Sequence, residues 1–189
     1  MSRAALLIID MQNDFIADGA PLRVKNAGRI TGAVRTALET FRRRRLPVFH
    51  VVRVHRKDGS DVEIFRKELF RKTPFAVEGT HGAAVIEELK PADGDYIIRK
   101  SRMSAFMNTD LDLVLRTLYV DTLYVAGIQT PNCIRTTVYD AFALNYRTFL
   151  IEDAVAAQND EVHKANCNDM AGIGVGMVRS GDLGSLIRT

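Results

Sequence analysis

One alternation runs the length of this chain and narrows its possible folds more than any other feature. Apolar runs recur as "AALLIID", "VFHVVRV", "DYIIRK", "TLYVAGI", "TFLIED" and "VGMVRS". Continuous runs of this kind suit strands covered on both faces. Between several of them lie segments with helical spacing: Ile30, Val34, Leu38 and Phe41; then Leu111, Leu115 and Leu118; then Ile134, Val138 and Phe142. The order reads β-α-β, a long connection, then β-α-β-α-β-α-β. Such an order predicts an α/β fold, a three-layer α/β/α sandwich with a six-stranded, mostly parallel sheet. The connection from His55 to Asp93 holds "RKDGSD" and "VEGTHGA". It is predicted to wrap over one end of the sheet and contribute to a pocket.

The length of 189 residues fits a single domain spanning 1–189, large enough to bury a core without metals or disulfides. Net charge is +3, and the excess is concentrated in "RRRR", Arg42 to Arg45, at the end of a predicted helix. Cations there oppose the negative end of the helix dipole. No aromatic interleaving or nucleic-acid motif accompanies them, so no nucleic-acid partner is expected, and the charge suggests at most a preference for anionic small molecules. The first apolar run stops at Asp10, too short for a membrane span, and lacks a signal cleavage pattern. Neither a membrane partner nor a targeting segment is expected. Two cysteines, Cys133 and Cys167, make no disulfide framework, which points to a reducing cytoplasm.

In open α/β sheets, ligands bind beyond the carboxyl ends of the strands. Three strand ends carry distinct chemistry: Asp10 closes the first run, Lys100 closes "DYIIRK", and Cys133 follows "TLYVAGIQT". Taken singly, the Asp reads as a loop cap and the Lys as a solvated charge. For Cys133 the local sequence says more. Thr130 is placed as an N-cap and Pro131 as the first helical residue, which puts Cys133 in the first turn. There the helix dipole would lower a thiol pKa that is about 8.5 unperturbed. Lys100 nearby would lower it further, while Asp10 would oppose the thiolate but accept its proton. Backbone N–H groups around Gln129 and Cys133 would point to where an oxyanion forms. Cys167 reads as a small buried hydrophobe. His50 reads as a core histidine, and His81 and His163 as surface residues.

With these residues in order, the chain resembles the isochorismatase-like cysteine hydrolase family, which includes nicotinamidases, N-carbamoylsarcosine amidase and ureidoacrylate amidohydrolase. The resemblance is carried by "LLIIDMQNDF", "EGTHGA", "IIRKSRMSAF", "TDLDLVLR", "VAGIQTPNCIRTTVYDA" and "FLIEDAVA". It implies an isochorismatase-like, Rossmann-like fold with Asp10, Lys100 and Cys133 as a catalytic triad. It also implies a cis Ile128–Gln129 peptide, turning the Gln129 N–H inward beside that of Cys133 as an oxyanion hole. The implied reaction is attack of Cys133 on an amide, carbamoyl or ureido carbonyl, with hydrolysis of the resulting thioester. Alternatives are an isochorismatase-type vinyl ether hydrolase, which need not carry this cysteine, and a non-catalytic binding or assembly subunit.

The resemblance also bears on the pocket, on metals and on assembly. Phe15 and Phe106 occupy family positions that often line the pocket, with core packing the competing reading. Arg53 suits either a substrate carboxylate or a structural ion pair. Nicotinamidases carry a metal-binding Asp-x-His pair after the second strand and a further His before the "GT" motif. The matching positions here are Arg53, His55 and Phe75. One ligand of three does not make a metal site, so no metal, no cofactor and no nicotinamide specificity are expected. Family members usually assemble, so a homo-oligomer, dimer or larger, acting on a small molecule is expected.

Overall fold

A computed structural model describes residues 3–187; residues 1, 2, 188 and 189, the ends of the expected domain, lie outside the described residues. The strands are β1 (Arg3–Ile9), β2 (Val48–Arg53), β3 (Tyr96–Lys100), β4 (Val120–Ile128), β5 (Arg147–Ala156) and β6 (Gly176–Val178). The helices are α1 (Asn13–Ile16), α2 (Ala27–Arg43), α3 (Lys67–Lys72), α4 (Leu111–Thr117), α5 (Arg135–Ala143), α6 (Asp160–Gly172) and α7 (Leu183–Leu186). The strands form one sheet in the order β3-β2-β1-β4-β5-β6, and every neighbouring pair is parallel. No helix among the described residues is long and apolar enough to cross a membrane.

β1 shows how the sequence makes three layers. Its side chains alternate, so Ala4, Leu6 and Ile8 enter one core while Ala5, Leu7 and Ile9 enter the other. The first core is closed by the Ile30, Val34, Leu38, Phe41 stripe of α2. The second is closed by Leu111 and Leu115 of α4, Val138 and Ala141 of α5, and Met170 of α6. The α5 stripe departs from expectation at its end. Ala141 is buried in the core and Phe142 is exposed, so the buried stripe steps from Ile134 to Val138 to Ala141. The arginine run does end α2: Arg42 pairs with Asp95, and Arg44 donates to the Ile187 and Gly184 carbonyls around α7.

Two details place the strand ends that matter. Gly127 of β4 lies opposite Ile9 of β1, with φ +112°, and a β-carbon there would stand 2.1 Å from the Ile9 carbonyl oxygen. Only glycine permits that approach. The long connection folds back over the carboxyl end of the sheet, held by the "QND" segment. Gln12 Nε2 donates to the Arg53 and Ala83 carbonyls, both at 2.8 Å, while its Oε1 accepts from the Arg53 N–H. Asp14 Oδ2 accepts from the Ala76 N–H at 2.7 Å.

His50 is buried in β2, with Nε2 3.1 Å from Asp95 Oδ2. His55 is buried among aromatic rings. Burial, the largest influence on each, lowers both pKa values below the ordinary 6.5. The unfolded chain therefore binds protons that the folded chain refuses, and stability falls as pH drops below about 6.5, by up to about 1.4 kcal/mol per pH unit for each histidine. Asp95 acts in the same sense at lower pH. Burial alone would raise it, but Arg42, the Ala92 N–H and His50 together hold it below the usual carboxylate range. We expect the melting temperature to fall steadily from pH 7.5 to 5.5, and His50→Gln to flatten that slope. A flat profile for the wild type would contradict the neutral buried histidines.

Candidate active site

Four neighbouring strands each end at one place. Lys100 is the last residue of β3, Arg53 the last of β2, Asp10 follows β1, and Cys133 lies just beyond β4. Asp10 has φ +54°, a left-handed turn that a short polar residue tolerates. Its amide donates to Val51 at 2.8 Å and its carbonyl accepts from Gln12 at 2.9 Å. After β4 comes a cis Ile128–Gln129 peptide, then a single π-helical turn, Thr130–Ile134, which continues into α5. The Gln129 carbonyl accepts the Ile134 N–H at 3.2 Å and the Asn132 N–H at 3.0 Å, the wide loop of a π-turn, a geometry frequent at functional sites.

Lys100, expected as a solvated charge when read singly, is buried. Its three donors are all used: Asp10 Oδ2 at 2.9 Å, the Arg102 carbonyl at 3.1 Å and Cys133 Sγ at 3.3 Å. Asp10 Oδ1 is buried without a hydrogen-bond partner. This arrangement corrects the electrostatics expected from local sequence. Burial pushes the Cys133 thiol up, and the Asp10 charge pushes it further, against the opposing pull of Lys100 and Arg53. A helix dipole is a local effect, whereas desolvation and a contacting carboxylate are tertiary, and here they dominate. That balance favours the neutral thiol at Cys133, with the Asp10 carboxylate acting on it.

The capping also differs from expectation. Gln129, not Thr130, occupies the N-cap position. Thr130 Oγ1 instead lies 2.9 Å from Nδ1 of His163 in α6, so the half-buried His163 braces the turn and is not a free surface residue. Cys167 is buried one helical turn on, 3.7 Å from the same ring. Burial, with the Glu152 charge, raises its thiol pKa to about 11. His81 is exposed.

Arg53 is almost completely buried. Nη1 donates to Glu63 Oε1 at 2.8 Å, and Nη2 lies 3.8 Å from Cys133 Sγ. Burial alone would weaken its hold on the proton, but the surrounding anionic groups, the Asp10 and Glu63 carboxylates among them, outweigh that and raise its pKa. The ion-pair reading of Arg53 is therefore the one the geometry supports, with its other edge turned to the thiol. His55 Nε2 stands 3.5 Å from Arg53 Nη1, and Phe75 packs edge-on to the His55 ring. A guanidinium and a phenyl ring at two of three positions do not fit a divalent ion. Among the described residues no group of three His, Cys, Asp or Glu could hold one.

The pocket above Cys133 encloses about 410 Å³, including its open mouth. Phe15, Leu22, Val24 and Met103 form apolar walls, and Gln129, Asn132 and Cys133 form the floor with Asp10 and Arg53; Arg66 stands in the lining as well. Phe15 thus lines the pocket as expected from its position. Phe106 does not: it stacks on Tyr146, ring centroids 5.9 Å apart, and belongs to the core. Glu63, Arg66 and Met103 were not legible as site residues, since nothing in their local sequence marks which way the long connection turns them.

Comparison with known proteins finds relatives along nearly the whole chain. The family model for the isochorismatase domain matches residues 4–182. A protein of Arabidopsis thaliana described as a probable inactive nicotinamidase is 46% identical over 175 residues, covering 90% of this chain and 89% of that protein. The crystal structure of an isochorismatase family protein from Desulfovibrio vulgaris matches with a TM-score of 0.94 at 44% identity, covering 97% of each chain. That of N-carbamoylsarcosine amidase from Thermoplasma acidophilum matches with a TM-score of 0.81 at 33% identity, covering 99% of each.

Proposed function

We propose, from the premise that this chain belongs to the isochorismatase family of hydrolases, that it cleaves a C–N bond of a small amide, carbamoyl or ureido compound through a thioester on Cys133. The observation that carries this reading is the divided carboxylate of Asp10. Oδ2 is fixed by Lys100 at 2.9 Å, Oδ1 is buried with no hydrogen-bond partner, and the carboxylate acts directly on the Cys133 thiol. A base so placed accepts the thiol proton only as sulfur attacks a carbonyl carbon. Lys100 and Arg53 then face the developing negative charge on sulfur.

The tetrahedral oxyanion is held by the backbone N–H groups of Gln129 and Cys133. Protonated Asp10 returns its proton to the nitrogen, the C–N bond breaks, and ammonia or an amine leaves the acyl group on sulfur. Asp10 next takes a proton from water as the water oxygen attacks the thioester. The carboxylic acid departs and the thiol recovers the proton. No step calls on a metal, and the permanent cation of Arg53 occupies one of the positions where a ligand would stand.

N-carbamoylsarcosine amidase among the matched structures supports a carbamoyl or related substrate. The description of the Arabidopsis relative as a probable inactive nicotinamidase lends no support to nicotinamide as the substrate, and it fits a non-catalytic subunit equally well. An ammonia-release screen over small amides, carbamoyl compounds and ureides tests the reading. We expect at least one to be hydrolysed, at a rate unchanged by prior dialysis against a chelator. Chelator-sensitive activity, or turnover that releases no nitrogen from any C–N substrate, would overturn it.

A further inference from the structure

One hydrogen bond ties the turn that carries Cys133 to a residue of α6 that no catalytic step uses. Thr130 follows Gln129 and stands three residues before Cys133, so it lies between the two oxyanion donors. It is fully buried, and it does not line the pocket as Gln129, Asn132 and Cys133 do. Its carbonyl accepts the N–H of Arg135, and its hydroxyl lies 2.9 Å from Nδ1 of His163. A buried hydroxyl without a partner is strongly unfavourable, so Thr130 and the His163 ring hold each other. His163 itself faces a separate surface groove with Lys164 and Cys167, outside the pocket.

The ring is held in its turn by α6. One turn earlier, Asn159 caps the helix, its side chain accepting from the Glu161 and Val162 N–H groups. One turn later, Arg135 of α5 donates to Asn166 at 3.2 Å and pairs with Asp169 at 3.5 Å. Nε2 of the ring stands 3.7 Å from Cys167 Sγ. An oxyanion hole works because its donors are already aimed when negative charge develops. The pocket side of this turn must stay open to substrate, so its restraint has to come from the opposite side. We propose that His163 is a positioning residue for the reaction: through the Thr130 hydroxyl it holds the turn from Gln129 to Cys133 in place and aims the oxyanion donors without touching substrate. This rests on the Gln129 and Cys133 N–H groups being those donors, and it adds a residue from another helix to the machinery.

Two reagents for Cys133 separate this role from general support of the site. p-Nitrophenyl acetate acylates a thiol through a tetrahedral oxyanion: sulfur bonds to the acetyl carbon, p-nitrophenolate leaves, and Asp10 takes the thiol proton. Iodoacetamide alkylates the same sulfur by direct displacement of iodide, and no oxyanion forms. We expect His163→Ala and Thr130→Val each to slow acylation by about tenfold or more, with alkylation within about twofold of wild type. His163→Asn, whose amide reaches the place of Nδ1, should restore most of the acylation rate, and Thr130→Ser should retain more of it than Thr130→Val. The double variant should be no slower than either single one, since both remove the same bond. Acylation that falls no further than alkylation, a His163→Asn protein as slow as His163→Ala, additive losses in the double variant, or a wild-type Cys133 that the ester does not acylate overturns the proposal. Should His163→Ala not fold, Thr130→Val against Thr130→Ser decides alone, because valine has the shape of threonine without its hydroxyl. Neither assay breaks a C–N bond, so a failed ammonia-release screen would strike the substrate class and leave this role standing.

Discussion

Cys133→Ala is expected to lower kcat/KM for any substrate of this protein by on the order of 10⁴-fold or more, about 5.5 kcal/mol of transition-state stabilisation. The fold should persist, since only a sulfur atom is removed from a site whose other members are held by their own bonds. Steady-state assays beside a melting curve would check both halves, and a fully active variant would end the covalent mechanism. Asp10→Asn gives the sharper result, because its two readouts move in opposite directions. The Asp10 carboxylate raises the thiol pKa, so its loss should increase the thiolate fraction at neutral pH and speed alkylation by iodoacetamide. Turnover should nonetheless collapse, because no base remains to carry the proton to the leaving nitrogen. Cys167, with its thiol pKa near 11, serves as the internal reference. Alkylation of wild-type Cys133 no faster than Cys167 would refute an activated nucleophile.

Gly127→Ala should be the most damaging single substitution in the sheet. The new methyl would meet the Ile9 carbonyl oxygen at 2.1 Å and the Ile9 nitrogen at 2.7 Å. Both are backbone atoms of the paired strand, which cannot swing aside as a flexible side chain would. The φ of +112° adds a conformation that alanine resists. A cost of at least about 4 kcal/mol follows, a large part of the stability of an ordinary domain. For a chain of this size that lowers the melting temperature by roughly 10 °C or more. Gly28→Ala is the control: it lies in α2 with open space around it, and alanine there should hold or raise stability slightly. A Gly127→Ala protein melting within about 2 °C of wild type would mean that β1 and β4 are not packed as described.

The strands were legible because each is buried on both faces and so reads as a continuous apolar run. Asp10, Lys100 and Cys133 were legible for a related reason, as polar residues that end such runs on a sheet whose order brings β3, β2, β1 and β4 side by side. What escaped was tertiary. The raised thiol pKa comes first from burial and then from a carboxylate 123 positions away in the chain, between Asp10 and Cys133. Phe106 and Met103 lie three residues apart in one loop, yet Met103 lines the pocket and Phe106 stacks on Tyr146; no local pattern separates them. The "QND" side chains look like site residues by position, but Gln12 and Asp14 bind backbone groups of the connection and hold it in place.

Because the four strand ends come from distant parts of the chain, they can meet only when the sheet closes. Closing loops of that length is entropically costly and favours slow, cooperative assembly of parallel sheets. β1 is translated before the other strands, yet it must wait for β4 to lie against it before Asp10 meets the thiol. A nascent or half-folded chain therefore carries the cysteine without Asp10, Lys100 or the pocket around it. The reactivity of Cys133 in a refolding experiment becomes a clock for completion of the native sheet.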